Sequence, residues 1–241
     1  MDRTFKAIES STYSAWEIMD ETPNSLTDET VSRIVALIQS RQLEINVHAP
    51  FSPVGYSSLD EQTRRHSLER LLSTIRHARS VGSRYVVVHP AQRYGVDPEA
   101  EFQLFIEGIG EMAHEAGEGM WVLVENAIAG TPLFNSTVAE CKAFFSSTSE
   151  ENVGLCLDAG HANIGEGIMA YGHSLFPWIR NIHVHDNDGT RDSHLEVGAG
   201  TVDWSLLLRY VKRKRYRHYL TVETVCNPFR SAGRIGALSW D

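Results

Sequence analysis

His48, His89, Glu125, Asp158, His185 and Glu223 are oxygen and nitrogen donors spread along the chain, and each closes a short apolar run. Two of them carry further donors close behind. His161 follows Asp158 in Asp158-Ala-Gly-His161, and His185 leads into Asp186-Asn-Asp-Gly-Thr-Arg-Asp192-Ser-His194. Alternate residues of an extended chain point to one side, so Asp192 and His194 form a platform that can hold one ion. Histidine and carboxylate donors without thiolate suit Zn²⁺, Mn²⁺, Fe²⁺, Co²⁺ or Mg²⁺. The three cysteines, Cys141, Cys156 and Cys226, lack metal-type spacing and read as reduced thiols of a cytoplasmic protein. Lys6, Lys142, Lys212 and Lys214 lie outside these segments, which argues against Schiff-base chemistry.

The elements that must position these donors are readable. Strand-like runs span 15–19, 44–48, 85–89, 121–125, 154–158, 181–185 and 219–223. Most are short, β-branched and apolar, as in strands buried on both faces of a parallel sheet. Amphipathic helices lie between them. Ser25 with Asp28 is read as the start of one that buries Val31, Ile34, Val35 and Ile38. Leu68, Leu71, Leu72 and Ile75 mark the next, which Gly82 stops. Asp97-Pro98 is an N-cap with an N1 proline, and Gly117 ends that helix. Asp203 caps a helix carrying Leu206, Leu207, Tyr210 and Val211. Repeated βα units make a doubly wound sheet or a (β/α)8 barrel. No glycine-rich phosphate loop follows the first strand, and no Gly-x-x-x-x-Gly-Lys motif occurs. Polar residues recur at strand C-termini, Glu17 included, where a barrel gathers its active site. The reading is therefore an α/β chain forming a TIM-type (β/α)8 barrel over residues 1–241 as a single domain. Seven strands are legible, so the first βα unit is expected to be incomplete or irregular, and the tail after Glu223 reads as short for a last helix.

Composition narrows the function. A chain of 241 residues, 42% hydrophobic and 22% charged, can bury one sizeable core. No apolar run reaches the ~20 residues of a membrane span, and the first residues carry no signal-type apolar stretch. A net charge of −9 argues against a protein that coats nucleic acid. The basic run Lys212–Arg215, with Arg217 and His218, is read as a solvated helix end, since cations there complement the helix C-terminus.

The order of His48-Ala-Pro, His89-Pro, Glu125-Asn, Leu157-Asp-Ala-Gly-His161, His185-Asp-Asn-Asp-Gly, Asp192-Ser-His194-Leu, Gly198-Ala-Gly and Glu223-Thr resembles the xylose isomerase-like TIM-barrel superfamily. That superfamily holds sugar phosphate isomerases/epimerases and endonuclease IV, an apurinic-site nuclease. The resemblance runs from Trp16 to Glu223. By similarity to the nuclease, His48, His89 and Glu125 would hold one metal, Glu125, Asp158, His185 and Glu223 a second, and His161, Asp192 and His194 a third. By similarity to the epimerases, the second set alone is the metal site, Glu125 and Glu223 double as the acid/base pair, and His161 and Arg191 contact substrate. The run His194-Leu-Glu-Val-Gly-Ala-Gly-Thr-Val-Asp-Trp204 looks like the sugar isomerase branch.

The resemblance thus implies a metal-dependent isomerase or epimerase of a small-molecule sugar or sugar phosphate, moving a proton next to a carbonyl through a metal-stabilised enediolate. One to three Zn, Mn, Co or Mg ions per chain are expected, with no membrane partner and a possible homo-oligomer. The alternative is an endonuclease IV-like phosphodiesterase with a trinuclear metal site, and DNA is a partner only there. Phe51, after His48-Ala-Pro, sits where the nuclease has an aromatic that helps open DNA. A barrel that binds metal without turnover is a third reading, against which intact Glu125 and Glu223 count. Among the other polar residues, His183 is expected on the opposite side of its strand from His185, in the core or against a helix. Glu17 can hydrogen-bond other mouth residues or substrate. Asp186 and Asp188 read as turn formers, or as acceptors that orient imidazoles. Cys156 reads as core, and Arg191, Arg230 and Arg234 as phosphate anchors or surface residues.

Overall fold

Short β-branched runs and amphipathic helices alternate throughout the computed structural model, which describes residues 2–238 apart from the side chains of Arg3 and Thr4. The order is α1 (Asp2–Ser10), β1 (Ala15–Met19), α2 (Asp28–Arg41), β2 (Glu44–His48), α3 (Glu61–Ser80), β3 (Tyr85–Val88), α4 (Pro98–Ala116) and β4 (Trp121–Glu125). There follow α5 (Val138–Ser147), β5 (Val153–Asp158), α6 (Ala159–Ile164), α7 (Ile168–Leu175), β6 (Ile179–Val184), α8 (Trp204–Arg213), β7 (Tyr219–Val222) and α9 (Pro228–Leu238). Among the described residues there are seven strands, and the first element is a helix. The tail read as too short for a helix forms α9, which buries Ser231 and Ile235.

The chain falls into two units, residues 1–124 with 148–153, and residues 125–147 with 154–241. In the first, β1 to β4 pair in parallel, with Trp16 opposite Ile45, Val47 opposite Val86 and Val87 opposite Leu123. Val86, Val87 and Val88 are fully buried, which is why this strand shows no polar alternation. The leucine stripe of α3 buries Leu68, Leu71, Leu72 and Ile75, each contributing about 1.5–3 kcal/mol by leaving water. Asp97 caps α4 through the Ala100 N–H, with Pro98 at its start and Gly117 after its end. The cap of α2 is Thr27, not Ser25; its hydroxyl and that of Thr30 take each other's backbone N–H.

In the second unit β5, β6 and β7 pair in parallel, with Leu157 opposite Ile182, and His183 opposite both Asp158 and Thr221. Cys156 is core, as read from the sequence. Asp203 caps α8 through the Leu206 N–H. Parallel strands bring their C-termini to one edge of this ladder, where Asp158, His185 and Glu223 follow or end β5, β6 and β7.

Candidate metal centre

Asp158 ends β5 and caps α6, its Oδ1 accepting the His161 N–H at 2.7 Å. Asn126 holds it from the other side. Asn126 Oδ1 accepts the Asp158 N–H at 2.7 Å, and its Nδ2 donates to the Asp158 carbonyl at 3.2 Å. The Asn126 carbonyl also accepts from His161 Nδ1 at 2.9 Å. Asn126 therefore fixes both Asp158 and His161 while following Glu125 directly. Sequence reasoning gave it no role, although Glu125-Asn was part of the motif.

His183 is where the structure departs most from the reading. Its Nδ1 lies 3.2 Å from Glu223 Oε2, 3.7 Å from Glu125 Oε1 and 3.7 Å from Asp158 Oδ2. It faces the carboxylates, not the core behind the strand. Residues two apart in a strand share a face, so the placement of His183 opposite His185 misapplied the period. His185 lies one residue beyond the end of β6 and is fully buried. Its Nε2 donates to both Asp158 oxygens, at 3.0 and 2.9 Å.

The structure brings His161, Asp192 and His194 together. Asp192 Oδ2 is 2.9 Å from His194 Nε2 and 3.4 Å from His161 Nε2. His194 Nδ1 donates to the Glu223 carbonyl at 2.7 Å. A carbonyl only accepts, so the Nδ1 of His161 and His194 carries the proton and each Nε2 faces Asp192. Burial acts to lower both histidines. Asp158, Asp192 and Glu125 outweigh it at His161, raising it to about 10. Asp192 and the Glu223 carbonyl outweigh it at His194, raising it to about 9. Burial acts to raise Asp158, but the charges of His161 and His185 and hydrogen bonds from His183 and His185 hold it well below the usual carboxylate range.

In the first unit, His48 and His89 approach edge to face at 5.2 Å, and Phe51 lies 4.8 Å from His89 and 5.5 Å from His48. His48 Nδ1 donates to the Ala49 carbonyl at 2.7 Å. The Phe51 N–H donates to Glu21 Oε1 at 2.8 Å, which sets the ring at the strand ends while leaving it 43% exposed. Glu17 does not end its strand, because β1 runs on to Met19. The buried acid there is Asp20, which accepts from the Leu26 N–H, Arg70 and Thr74 and clasps the loop.

The loop bearing Asp192 and His194 is organised by Asp186, a fully buried acceptor and no mere turn former. It accepts from the N–H groups of Asn187, Gly198 and Val202 and from Trp204 Nε1, at 2.8–3.1 Å. Gly200 is required here, since a Cβ would come 2.1 Å from the Asn187 carbonyl oxygen and 2.3 Å from Asp186 Oδ1. Asp188 does form a turn, accepting from the Thr190 N–H and hydroxyl. Arg230 pairs with Glu196 at 3.4 Å and Arg234 donates to the Val197 carbonyl, so both tie α9 to this loop. Arg191 is exposed. Of the basic run, Arg213 and Lys214 lie over the Tyr210 ring and Lys214 also over Phe176, the packing of a helix end.

The donor set fits a divalent cation. Asp158, His183 and Glu223 offer ligand atoms within 4.8 Å of one another, and so do Glu125, Asp158 and His161. Three carboxylates gathered around one imidazole in a buried place need a positive charge among them. His185, His194 and Glu223 form another such group.

Among relatives, Uncharacterized protein MJ1311 of Methanocaldococcus jannaschii is 27% identical, over 88% of this chain and 74% of that protein. Fructoselysine 3-epimerase of Shigella flexneri is 24% identical, over 93% and 85%. Probable endonuclease 4 of Mycobacterium leprae is 26% identical, over 79% and 77%. A crystal structure of a D-tagatose 3-epimerase-like protein superposes with a TM-score of 0.91 at 23% identity, covering 99% of this chain and 92% of that one. IOLI protein with a binding zinc atom superposes with a TM-score of 0.81 at 18% identity, covering 99% and 92%. These two likenesses show the fold. A family model described as xylose isomerase-like TIM barrel matches residues 5–237, and the chain belongs to that family.

Proposed function

We propose that the chain is a metal-dependent isomerase or epimerase of a sugar or sugar phosphate. The observation that carries this reading is the placement of Glu125 and Glu223 beside the same imidazole, 3.7 and 3.2 Å from His183 Nδ1, with Asp158 alongside. Two carboxylates flanking one substrate position can serve as the base and the acid of proton transfer at a carbon. Glu125, Asp158, His183 and Glu223 would hold the ion, His183 taking the place that the sequence reading gave to His185. A divalent ion there supplies positive charge that polarises carbonyl and hydroxyl oxygens of the substrate. One glutamate takes the proton from the carbon next to the carbonyl, and the other returns one to the opposite face or the neighbouring atom. His161, whose Nδ1 is held by the Asn126 carbonyl, would meet a substrate oxygen through Nε2. Arg191, exposed on the same loop as Asp192, would meet the distal end of the substrate. The printed names of the fructoselysine and D-tagatose relatives support a sugar substrate.

The test is hydrogen exchange. Ketoses incubated with the metal-loaded protein in D2O should gain deuterium at the carbon beside the carbonyl, and Glu125→Gln or Glu223→Gln should abolish that gain. No exchange with any ketose, together with cleavage of duplex DNA carrying an abasic site, would replace this reading by the nuclease one. That second reading is favoured by His161, Asp192 and His194 meeting within 2.9–3.4 Å. The pairing of Phe51 with His48 and His89 and the endonuclease 4 relative also favour it. It requires binding that weakens with salt.

A further inference from the structure

His185 has a geometry of its own. Its ring stacks on that of His194, with centroids 3.9 Å apart and planes at 16°. The Cε1 end of the ring lies against Gly160, where a Cβ would come 2.0 Å from Cε1 and 2.6 Å from Nδ1. Only glycine leaves room for the ring. Nε2 donates to both oxygens of Asp158, so the hydrogen sits on Nε2. Nδ1 is buried without a hydrogen-bond partner. His183 has three carboxylates around one nitrogen, at 3.2–3.7 Å, whereas His185 meets Asp158 closely, with Asp192 Oδ1 at 3.8 Å and a Glu223 carboxylate oxygen within 4.8 Å of one ring nitrogen.

We propose that His185 is a positioning residue for the metal site, orienting Asp158 through Nε2–H while its stack on His194 braces the end of β7. His194 Nδ1 bonds the Glu223 main-chain carbonyl, so one stacked pair joins the group that holds the Asp158 carboxylate to the group that holds the backbone carrying Glu223. Groups that orient ligating side chains typically set about 10–100-fold of metal affinity. The inference rests on the metal-site reading above and assigns His185 a task within it other than ligation.

The test is titration of the chelator-stripped full chain with Mn²⁺ and Co²⁺ by calorimetry, with the Co²⁺ visible spectrum recorded at saturation. His185→Phe keeps the ring stack and removes the donor; His185→Gln keeps a donor and removes the stack. Expected for His185→Phe is a dissociation constant raised about 10–100-fold, with the number of ions per chain and the Co²⁺ band positions unchanged. His185→Gln should recover part of that loss. A lost ion or shifted bands would show that His185 is itself a ligand and overturn the proposal, as would unchanged affinity in His185→Phe. Equal loss in both variants, with lowered melting temperatures in chelator, would reduce His185 to a packing residue and also overturn it. His183→Ala and Asp158→Asn separate the two levels. If they too leave metal binding untouched, the metal-site reading fails; if they abolish it while His185→Phe does not weaken it, only this inference fails.

Discussion

Replacing Asp186 should unfold the loop that carries Asp192 and His194. Its carboxylate takes four donors, and among them the Val202 N–H and the Trp204 indole belong to residues 8% and 4% exposed. A buried donor left without its acceptor costs about 1–3 kcal/mol, so these two alone put Asp186→Ala at about 2–6 kcal/mol. That is a large part of the 5–15 kcal/mol that typically holds a domain together. Asp186→Asn keeps one acceptor oxygen but turns an NH2 toward N–H groups, so it should recover less than half of the loss. The control is Asp188→Ala, an exposed residue bonded within its own turn, expected to cost under about 0.5 kcal/mol. Urea unfolding followed by far-ultraviolet circular dichroism gives the energies, and limited proteolysis reports whether residues 186–204 open. An Asp186→Ala loss below 1 kcal/mol, with an unchanged cleavage pattern, would refute the assignment of Asp186 as the anchor.

Other outcomes follow from the same contacts. Gly160→Ala should displace the His185 ring and weaken Mn²⁺ binding at least as much as His185→Phe, measured by the same calorimetry. Glu125→Gln and Glu223→Gln, assayed folded and at Mn²⁺ concentrations that saturate each variant, should each lower kcat for proton exchange by about 10²–10⁴-fold, enough to abolish detectable deuterium gain; a change in KM alone would remove them from the acid/base role. Glu101 accepts the backbone N–H groups of Tyr94, Gly95, Val96 and Asp97. Burial acts to raise its carboxyl, and these donors outweigh it and hold the group low. A lowered folded value means that the stabilisation is present above the unfolded value of about 4.3 and is lost as pH falls through the folded one. Glu101→Gln should therefore destabilise at pH 7, with a difference that shrinks toward pH 3 in urea titrations at a series of pH values.

The elements were legible because fully buried parallel strands and capped helices each have a period and a punctuation of their own. Val86 to Val88 and the Asp97-Pro98 start of α4 show this directly. The ends of strands were less legible. Nothing local says that β6 stops at Val184 and leaves His185 beyond it. The donor set was legible as chemistry, and the structure brings His161, Asp192 and His194 together. The direction of His183 was not read correctly: it faces Glu125, Asp158 and Glu223, although the two-residue period was available to place it on the side of His185. Asn126 and Asp186 escaped for a different reason. Their task is to accept and donate backbone hydrogen bonds across loops, and partners of that kind leave no trace in residue type.

His48, His161 and His194 have one more property in common: each Nδ1 is tied to a main-chain carbonyl, of Ala49, Asn126 and Glu223 respectively. Every amino acid presents that carbonyl. The tautomer of all three imidazoles is therefore inherited with the path of the backbone, and drift at the side chains supplying the carbonyls leaves it untouched. A search of homologous sequences for residues that co-vary with these histidines would find no such partner, because what orients them is not written in the alphabet that sequences record.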